Sequence, residues 1–528
     1  MAIRIENGTI IDGTGRPAYP GTVVVDGDRI ADILPAAASP RPSRPASFAD
    51  PDVIDARGAL VTPGFIDAHS HSDAYLILEP DAPSKISQGI TTEINGQCGG
   101  SVAPRYGAAR LSSDWAALLG ERLTWRSLAE YREALAAVHP AVNTIEFIGH
   151  NTLRSSVVGY AGRAATAAEL AAMVRMLEEA LADGGWGLTT GLIYQPGRYS
   201  TPAEVTALAA VTARRGGYYA THMRSESDRI LEAIDEVLAL VRATGIRAEI
   251  SHLKTSGRAN WNRIDAVLDK VGGAVAAGRL LGSDRYPYCA AGTDLDIVLP
   301  DWAQEGAAVG EMPRLADPSV RARIVAEIDA SPRDWSTVMV GGTWSAATKS
   351  CSGRYVSELV AERKAASPGA LVCEILERDG CKTGGFFFGM SEENLAKIYA
   401  RPWIVPGSDA SLRAPWGPLG ADHPHPRAYA TMCEFYRRVR SLGFSREETV
   451  ARMTSVPARR FGIAQRGVLA RGAFADIVVW REEEFAARST YLAPHAFTAG
   501  VECVMVNGKI PYRAGKFTGS RGGRFLER

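Results

Sequence analysis

Apolar positions along the chain change period twice. Over residues 3–60 short β-branched runs, Ile3-Arg-Ile5, Gly8-Thr-Ile-Ile11, Thr22-Val-Val-Val25 and Arg29-Ile-Ala-Asp-Ile33, are broken by turn residues such as Asn7-Gly8 and Asp26-Gly27-Asp28, which predicts strands. The stretch 36–50, rich in Ala, Pro and Ser, predicts a loop. The same style returns at the other end, in Ala475-Asp-Ile-Val-Val-Trp480 and Val501 to Ile510 around Asn507-Gly508. Neither end has enough strands to fold alone, so residues 1–61 and 463–528 are expected to pair into one small β-sandwich.

Between them, over residues 62–462, strands alternate with helices. The segment 141–148 reads as a strand, followed by a helix over 164–182 whose Leu170, Met173, Val174, Leu177 and Leu181 fall at helical spacing. The strand 186–192 precedes a helix over 201–215, capped by Ser200 or Thr201 with Glu204 as its partner. Strands 218–222 and 247–252, with helices 227–244 and 261–271, continue the alternation. Such repetition predicts an α/β fold, a (β/α)8 TIM-like barrel. Mixed helical sequence over about 299–398 exceeds one repeat and is expected to form a lid-like insertion over the barrel mouth.

Charge narrows the partners. Lys plus Arg equals Asp plus Glu at 59 each, so no net field recruits nucleic acid or an anionic membrane, and a small-molecule substrate is expected. No run of about 18 apolar residues appears, and the opening Met-Ala-Ile-Arg-Ile-Glu-Asn leads straight into a strand, which points to a cytoplasmic protein. Seven scattered cysteines without CxxC spacing exclude a disulfide framework and a cysteine-rich zinc module. Oligomeric state is not encoded in these features.

Candidate chemistry gathers at predicted strand ends. In Ala68-His69-Ser-His71 the two histidines share a face of an extended chain. Cys98, His222, His252 and Asp409 each follow another strand, and in a barrel such ends converge on one face. Imidazole and thiolate suit Zn²⁺, and three or four such ligands leave a position open for water. Taken singly, each has a structural reading: a satisfied strand-end histidine, a buried thiol, or Asp409 as a helix cap. Their arrival at corresponding positions is what favours a metal centre. Lys254, two residues after His252, would put a cation in the mouth for a substrate carboxylate. His139 and His495 have no such context, and His423 and His425 sit in a Pro-rich loop where either role is open.

Seven motifs, Gly64-Phe-Ile-Asp-Ala-His-Ser-His-Ser-Asp73, Gly149-His-Asn-Thr-Leu-Arg154, Gly191-Leu-Ile-Tyr-Gln-Pro-Gly197, Thr221-His-Met-Arg-Ser-Glu226, Ile250-Ser-His-Leu-Lys254, Tyr286-Pro-Tyr288 and Gly407-Ser-Asp409, resemble the N-acyl-D-amino-acid deacylases of the amidohydrolase superfamily nearly end to end. The resemblance implies a tight Zn²⁺ on Cys98, His222 and His252, and a weaker second site at His69 and His71. Cys98 would take the bridging place that a carboxylated lysine holds in other amidohydrolases. It further implies Asp409 as catalytic base, Tyr194 as an oxyanion donor, and Arg427, Lys254 and Tyr288 on the substrate carboxylate, with His150 grouped among the substrate-binding residues. One departure stands out: where relatives often carry a small hydroxyl four residues after the tyrosine, here stands Gly292, followed by Thr293. The implied reaction is hydrolysis of an N-acyl-D-amino acid to a carboxylate and a D-amino acid. Alternatives are an amidohydrolase for a cyclic amide, carbamoyl compound or N-acyl-dipeptide, or a non-catalytic metal-binding homologue. A retained Asp409 speaks against the last, since a structural zinc site needs no base.

Overall fold

The computed structural model describes residues 2–36, 53–109 and 118–528, so the loop expected over 36–50 falls, from residue 37 onward, outside the described residues. The two chain ends meet in one nine-stranded sheet. Its seam is the antiparallel pairing of Leu60–Pro63 with Ile477–Trp480, Val61 opposite Val479. On the N-terminal side stand Ala2–Ile10, with the short Val53–Asp55 paired to it, Tyr19–Asp26 and Arg29–Pro35, and on the C-terminal side Val501–Val506, Lys509–Arg513 and Lys516–Phe517. Alternation divides the sheet's two faces. Ile477, Val479, Cys503 and Met505 join Ile5, Val23 and Val25 in a core of the sheet's own. Val478, Trp480, Val504 and Val506 point the other way and merge with the large core of the barrel. Asn507-Gly508 turns the hairpin between Val501–Val506 and Lys509–Arg513 with φ of 46° and 75°, the left-handed pair of a two-residue turn that favours Asn and Gly.

The chain passes directly from the seam into the barrel. Eight parallel strands follow: Phe65–Asp67, Ile90–Asn95, Asn143–Glu146 continued by Ile148–Gly149, Gly187–Gly191, Tyr218–His222, Arg247–Ile250, Gly282–Arg285 and Ile404–Pro406. The ring closes where Ala68 N–H donates to Pro406 O at 3.1 Å and Ser70 bridges Ala410. Nearly every strand residue is buried, as expected where helices cover the outside of a parallel sheet. The helix Ala167–Ala182 shows why these elements form: Thr166 and Glu169 make a reciprocal capping box, and Met173, Leu177 and Leu181 are buried. The helix Pro202–Arg214 departs from its sequence reading. Thr201 caps it, but the Glu204 carboxylate turns away from the cap to bind Arg154 and His150.

After the seventh strand the chain leaves the barrel as the strand Ala291–Asp294, which pairs with Gly384–Phe387, itself paired with Val338–Val340. Helices Ala307–Ala316, Pro318–Ala330, Val356–Arg363 and Pro368–Arg378 pack around this small sheet over a separate core that includes Leu315, Ile324, Val340, Leu371 and Leu376. The helix Glu392–Tyr399 returns to the barrel, where Leu395, Ile398 and Tyr399 are buried. No helix among the described residues is long and apolar enough to cross a membrane.

One acidic pair lies within this insertion. Burial, then repulsion from and hydrogen bonding with Glu311, pushes Asp296 up to about 8, and burial pushes Glu311 up to about 7. Both values lie above those of an unfolded chain, so the folded insertion binds more protons and its stability falls as pH rises from about 4 through about 8. We expect Glu311→Gln, which cannot ionise, to melt above the parent protein at pH 8, with the gap closing towards pH 4. Thermal melts across that range check it, and a gap independent of pH refutes the shared-proton reading.

Candidate metal centre

The C-terminal ends of six barrel strands deliver the candidate ligands and their supports. Cys98 Sγ lies 3.3 Å from His69 Nε2 and 3.3 Å from His252 Nε2. His69, His71, Cys98 and Asp409 offer donor atoms all within 4.8 Å of one another, and so do Cys98, His222 and His252. The sulfur is therefore common to two sets. Asp409 Oδ1 lies 3.0 Å from His71 Nε2 and 3.3 Å from His69 Nε2, while its Oδ2 accepts from Arg427 at 2.8 Å.

Backbone conformation aims these groups. Cys98, His252 and Asp409 have φ of 53°, 36° and 50°, left-handed values that cost a non-glycine residue on the order of 1–3 kcal/mol and cluster at functional sites. Gly407 lets the Asp409 loop pass the first strand, since a Cβ there would stand 2.6 Å from His69 Cβ. Burial would raise the Cys98 thiol, but the charges of His69 and His252, with a hydrogen bond from His252, hold it well below its ordinary range. Burial and the Cys98 charge push Tyr194 up, so its phenol stays a proton donor. Neither ring nitrogen of the buried His222 has a hydrogen-bond partner among the described residues. Its nearest acid, Glu226 Oε2, is 3.4 Å from Nε2. A thiolate and three buried imidazoles, one of them the unpartnered ring of His222, are the donor chemistry that a borderline-soft cation such as Zn²⁺ satisfies.

Carboxylates behind the ligands orient them. Asp284 Oδ2 lies 3.2 Å from His69 Nδ1, and Glu226 Oε1 lies 3.0 Å from His252 Nδ1, turning both Nε2 atoms towards Cys98. Lys254 Nζ is 2.8 Å from the same His252 nitrogen. An imidazole that ligates through Nε2 carries its proton on Nδ1, so Glu226 accepts from His252 and Lys254 donates to Glu226, at 2.5 Å. Deeper still, Lys85 Nζ, with no solvent exposure, has five oxygens within 3.0 Å: Asp67 Oδ2, Glu93 Oε1, Ser70 Oγ, Ser408 Oγ and Ala410 O. It thereby ties the first, second and eighth strands beneath His69, His71 and Asp409. Sequence reasoning passed over Glu226, Asp284 and Lys85. Only Glu226, four residues after His222 in a quoted motif, carried a signal.

A cavity of about 440 Å³ opens onto the cluster, lined by His71, Cys98, Tyr194, Asp409, Arg427 and, from the insertion, Lys382 among others. His222 and His252 lie behind this wall. Three residues expected at the substrate have other partners in this structure. The strand carrying His252 ends at Ile250, and the left-handed turn at His252 directs Lys254 back onto Glu226, outside the cavity wall. His150 is fully buried, with Nε2 2.8 Å from Glu204, and serves the ion pair between Arg154 and Glu204. Tyr288 stacks 5.1 Å from His425, its hydroxyl buried and outside the wall. In the Pro-rich loop, His425 Nε2 donates to Ala290 O and His423 Nε2 donates to Tyr491 O, and both rings line the cavity.

Comparison with known proteins places this arrangement. A profile for the amidohydrolase family matches residues 52–512. The chain belongs to the amidohydrolase family. Among its amidohydrolase relatives, the N-acyl-D-glutamate deacylase of Alcaligenes xylosoxydans xylosoxydans is 36% identical over 509 residues, 96% of this chain and 92% of that protein. The solved structure of a D-aminoacylase with a binuclear metal centre aligns with a TM-score of 0.81 and 33% identity, covering 100% of this chain and 99% of that one. The N-acyl-D-glutamate deacylase of Bordetella bronchiseptica, solved with zinc and a phosphonate mimic of the tetrahedral intermediate, aligns with the same TM-score, identity and coverage.

The buried ammonium offers a test. Replacing Lys85 by Met leaves Asp67 and Glu93 as uncompensated buried acids, at a cost of about 3–5 kcal/mol. Denaturant unfolding is expected to shift by that amount, and a shift below about 1 kcal/mol would show that Lys85 does not hold the strands together.

Proposed function

We propose that this amidohydrolase cleaves the amide bond of N-acyl-D-amino acids in the cytoplasm, using one tightly held Zn²⁺ on Cys98, His222 and His252 and a weaker second site at His69 and His71. The observation that carries the reading is the sulfur of Cys98 standing 3.3 Å from a histidine of each set, with Asp409 facing the pair. The relatives named above are deacylases of D-amino-acid derivatives, and one of them holds zinc. When bound, Zn²⁺ supplies Lewis acidity, lowering the pKa of a water towards about 7 and polarising the scissile carbonyl.

The chain's own residues account for the proton traffic. Burial would raise the Asp409 carboxyl, but Arg427 and His252, with hydrogen bonds from His69 and His71, keep it well below the usual carboxylate range. With Oδ2 engaged by Arg427, Oδ1 takes the proton of the attacking water. As the carbon–oxygen bond forms and the carbon–nitrogen bond breaks, the same carboxyl returns that proton to the departing amine. Tyr194, whose ring centroid is 4.9 Å from that of His222, donates its phenolic hydrogen to the oxygen that becomes negative. Arg427 also donates to Gly292 O at 3.1 Å, and a Cβ at Gly292 would stand 3.4 Å from the guanidinium. The missing hydroxyl at 292 thus leaves room against Arg427 instead of a second donor beside it.

Two outcomes test this. Asp409→Asn should lower kcat on the order of 10²- to 10⁴-fold while zinc per chain, read by elemental analysis, stays near the parent value; an unchanged kcat removes the proposed base. Zinc-loaded protein given paired N-acetyl-D- and N-acetyl-L-amino acids should release amine from the D series, and release from the L series alone contradicts the assigned stereochemistry.

A further inference from the structure

The cavity wall carries three permanent cations, and two are already occupied. Arg427 is engaged by Asp409 and Gly292 O, and Arg413 by Asp422 at 3.2 Å and by Leu412 O at 3.1 Å. The third, Lys382, has no ion pair or hydrogen bond among the described residues, although its side chain is half-buried in the wall. Lys254, the cation expected from sequence to meet a substrate anion, is held by Glu226. Of the three wall histidines, His423 and His425 are pushed down by burial, His425 strongly, and stay neutral, while His71 is engaged by Asp409 within the metal cluster.

Lys382 is attached to the chemistry through the small sheet of the insertion. It precedes Thr383 and the strand Gly384–Phe387, in which Gly385 pairs with Thr293 and Gly384 with Asp294. Thr293 Oγ1 donates to the Tyr194 hydroxyl at 3.5 Å. Gly384 and Gly385 also line the cavity, and neither puts a side chain into it. A carboxylate drawn out of water into such a cavity needs a cation within hydrogen-bonding reach, because burying it unpaired is costly.

We propose that Lys382 is a specificity-determining residue, its ammonium receiving a carboxylate of the substrate inside the cavity that holds Cys98 and Asp409. This rests on the function proposed above, in which every substrate carries an α-carboxylate and an acidic amino acid carries a second. Both share one recognition chemistry, and substrates tell them apart.

The test uses full-length, zinc-loaded protein with Lys382→Gln and Lys382→Arg, and N-acetyl-D-leucine, its C-terminal amide and N-acetyl-D-glutamate. Lys382→Gln should raise KM on the order of 10- to 100-fold, the worth of one charge-assisted hydrogen bond, with kcat little changed and Lys382→Arg recovering most of the loss. A loss for both acids that spares the amide assigns the α-carboxylate; a loss confined to the glutamate assigns the side chain. Binding of the same compounds to Asp409→Asn protein, with and without Lys382→Gln, is followed by calorimetry and reads the contact without turnover. If KM and binding are unchanged for every compound, the proposal is overturned. If the parent protein cleaves none of them, the proposed function fails, while the binding measurement still decides the role of Lys382.

Discussion

A thiolate shared by two groups of imidazoles sets the terms for the rest of this molecule. Cys98 sulfur has a histidine nitrogen at 3.3 Å on two sides, at the floor of the cavity. Such proximity is stable only where charge alternates, so each neighbouring shell carries the sign that the inner one requires. Histidines surround the sulfur; Asp284, Glu226 and Asp409 stand behind or beside the histidines; Lys254 and Arg427 neutralise two of those acids. The arrangement is a layered charge pattern, and removing any one layer exposes the next to an unpaired buried charge.

The layered pattern also explains why the barrel interior is so polar near its mouth. Lys85, Asp67 and Glu93 would be a liability in an ordinary core, yet with Ser70 and Ser408 they make a saturated knot. Its members alternate with the ligands along the chain: Asp67 and Ser70 flank His69, and Ser408 precedes Asp409. Ser70, between His69 and His71, turns to the knot while they face the cation site.

Much of this is legible in the sequence, for identifiable reasons. The barrel strands announce themselves through apolar runs separated by helical spacing, and His69, His71, Cys98, His222, His252 and Asp409 stand at their ends. What is not legible is how a chain bends after its strand stops. Lys254 reads as a neighbour of His252 on one face only if the strand continues, whereas it ends at Ile250 and His252 turns left-handed. Glu204 reads as a helix cap until the tertiary fold places Arg154 and His150 beside it, and the stronger partners win. Supporting acids such as Asp284 have no spacing relative to the histidines they hold, because the fold alone brings residues 69 and 284 together.

The seam of the terminal sheet bears on how the chain is made. Leu60–Pro63 leads without interruption into the first barrel strand, yet its partner Ile477–Trp480 leaves the ribosome only after the whole barrel. The strand that introduces His69 therefore waits, with one edge unpaired, through the synthesis of some four hundred residues. Assembly of the barrel precedes completion of the platform it stands on, and pairing across so long a separation is slow to form. During biosynthesis the edge of the Leu60–Pro63 strand thus stays open to other partners until residues 477–480 are made.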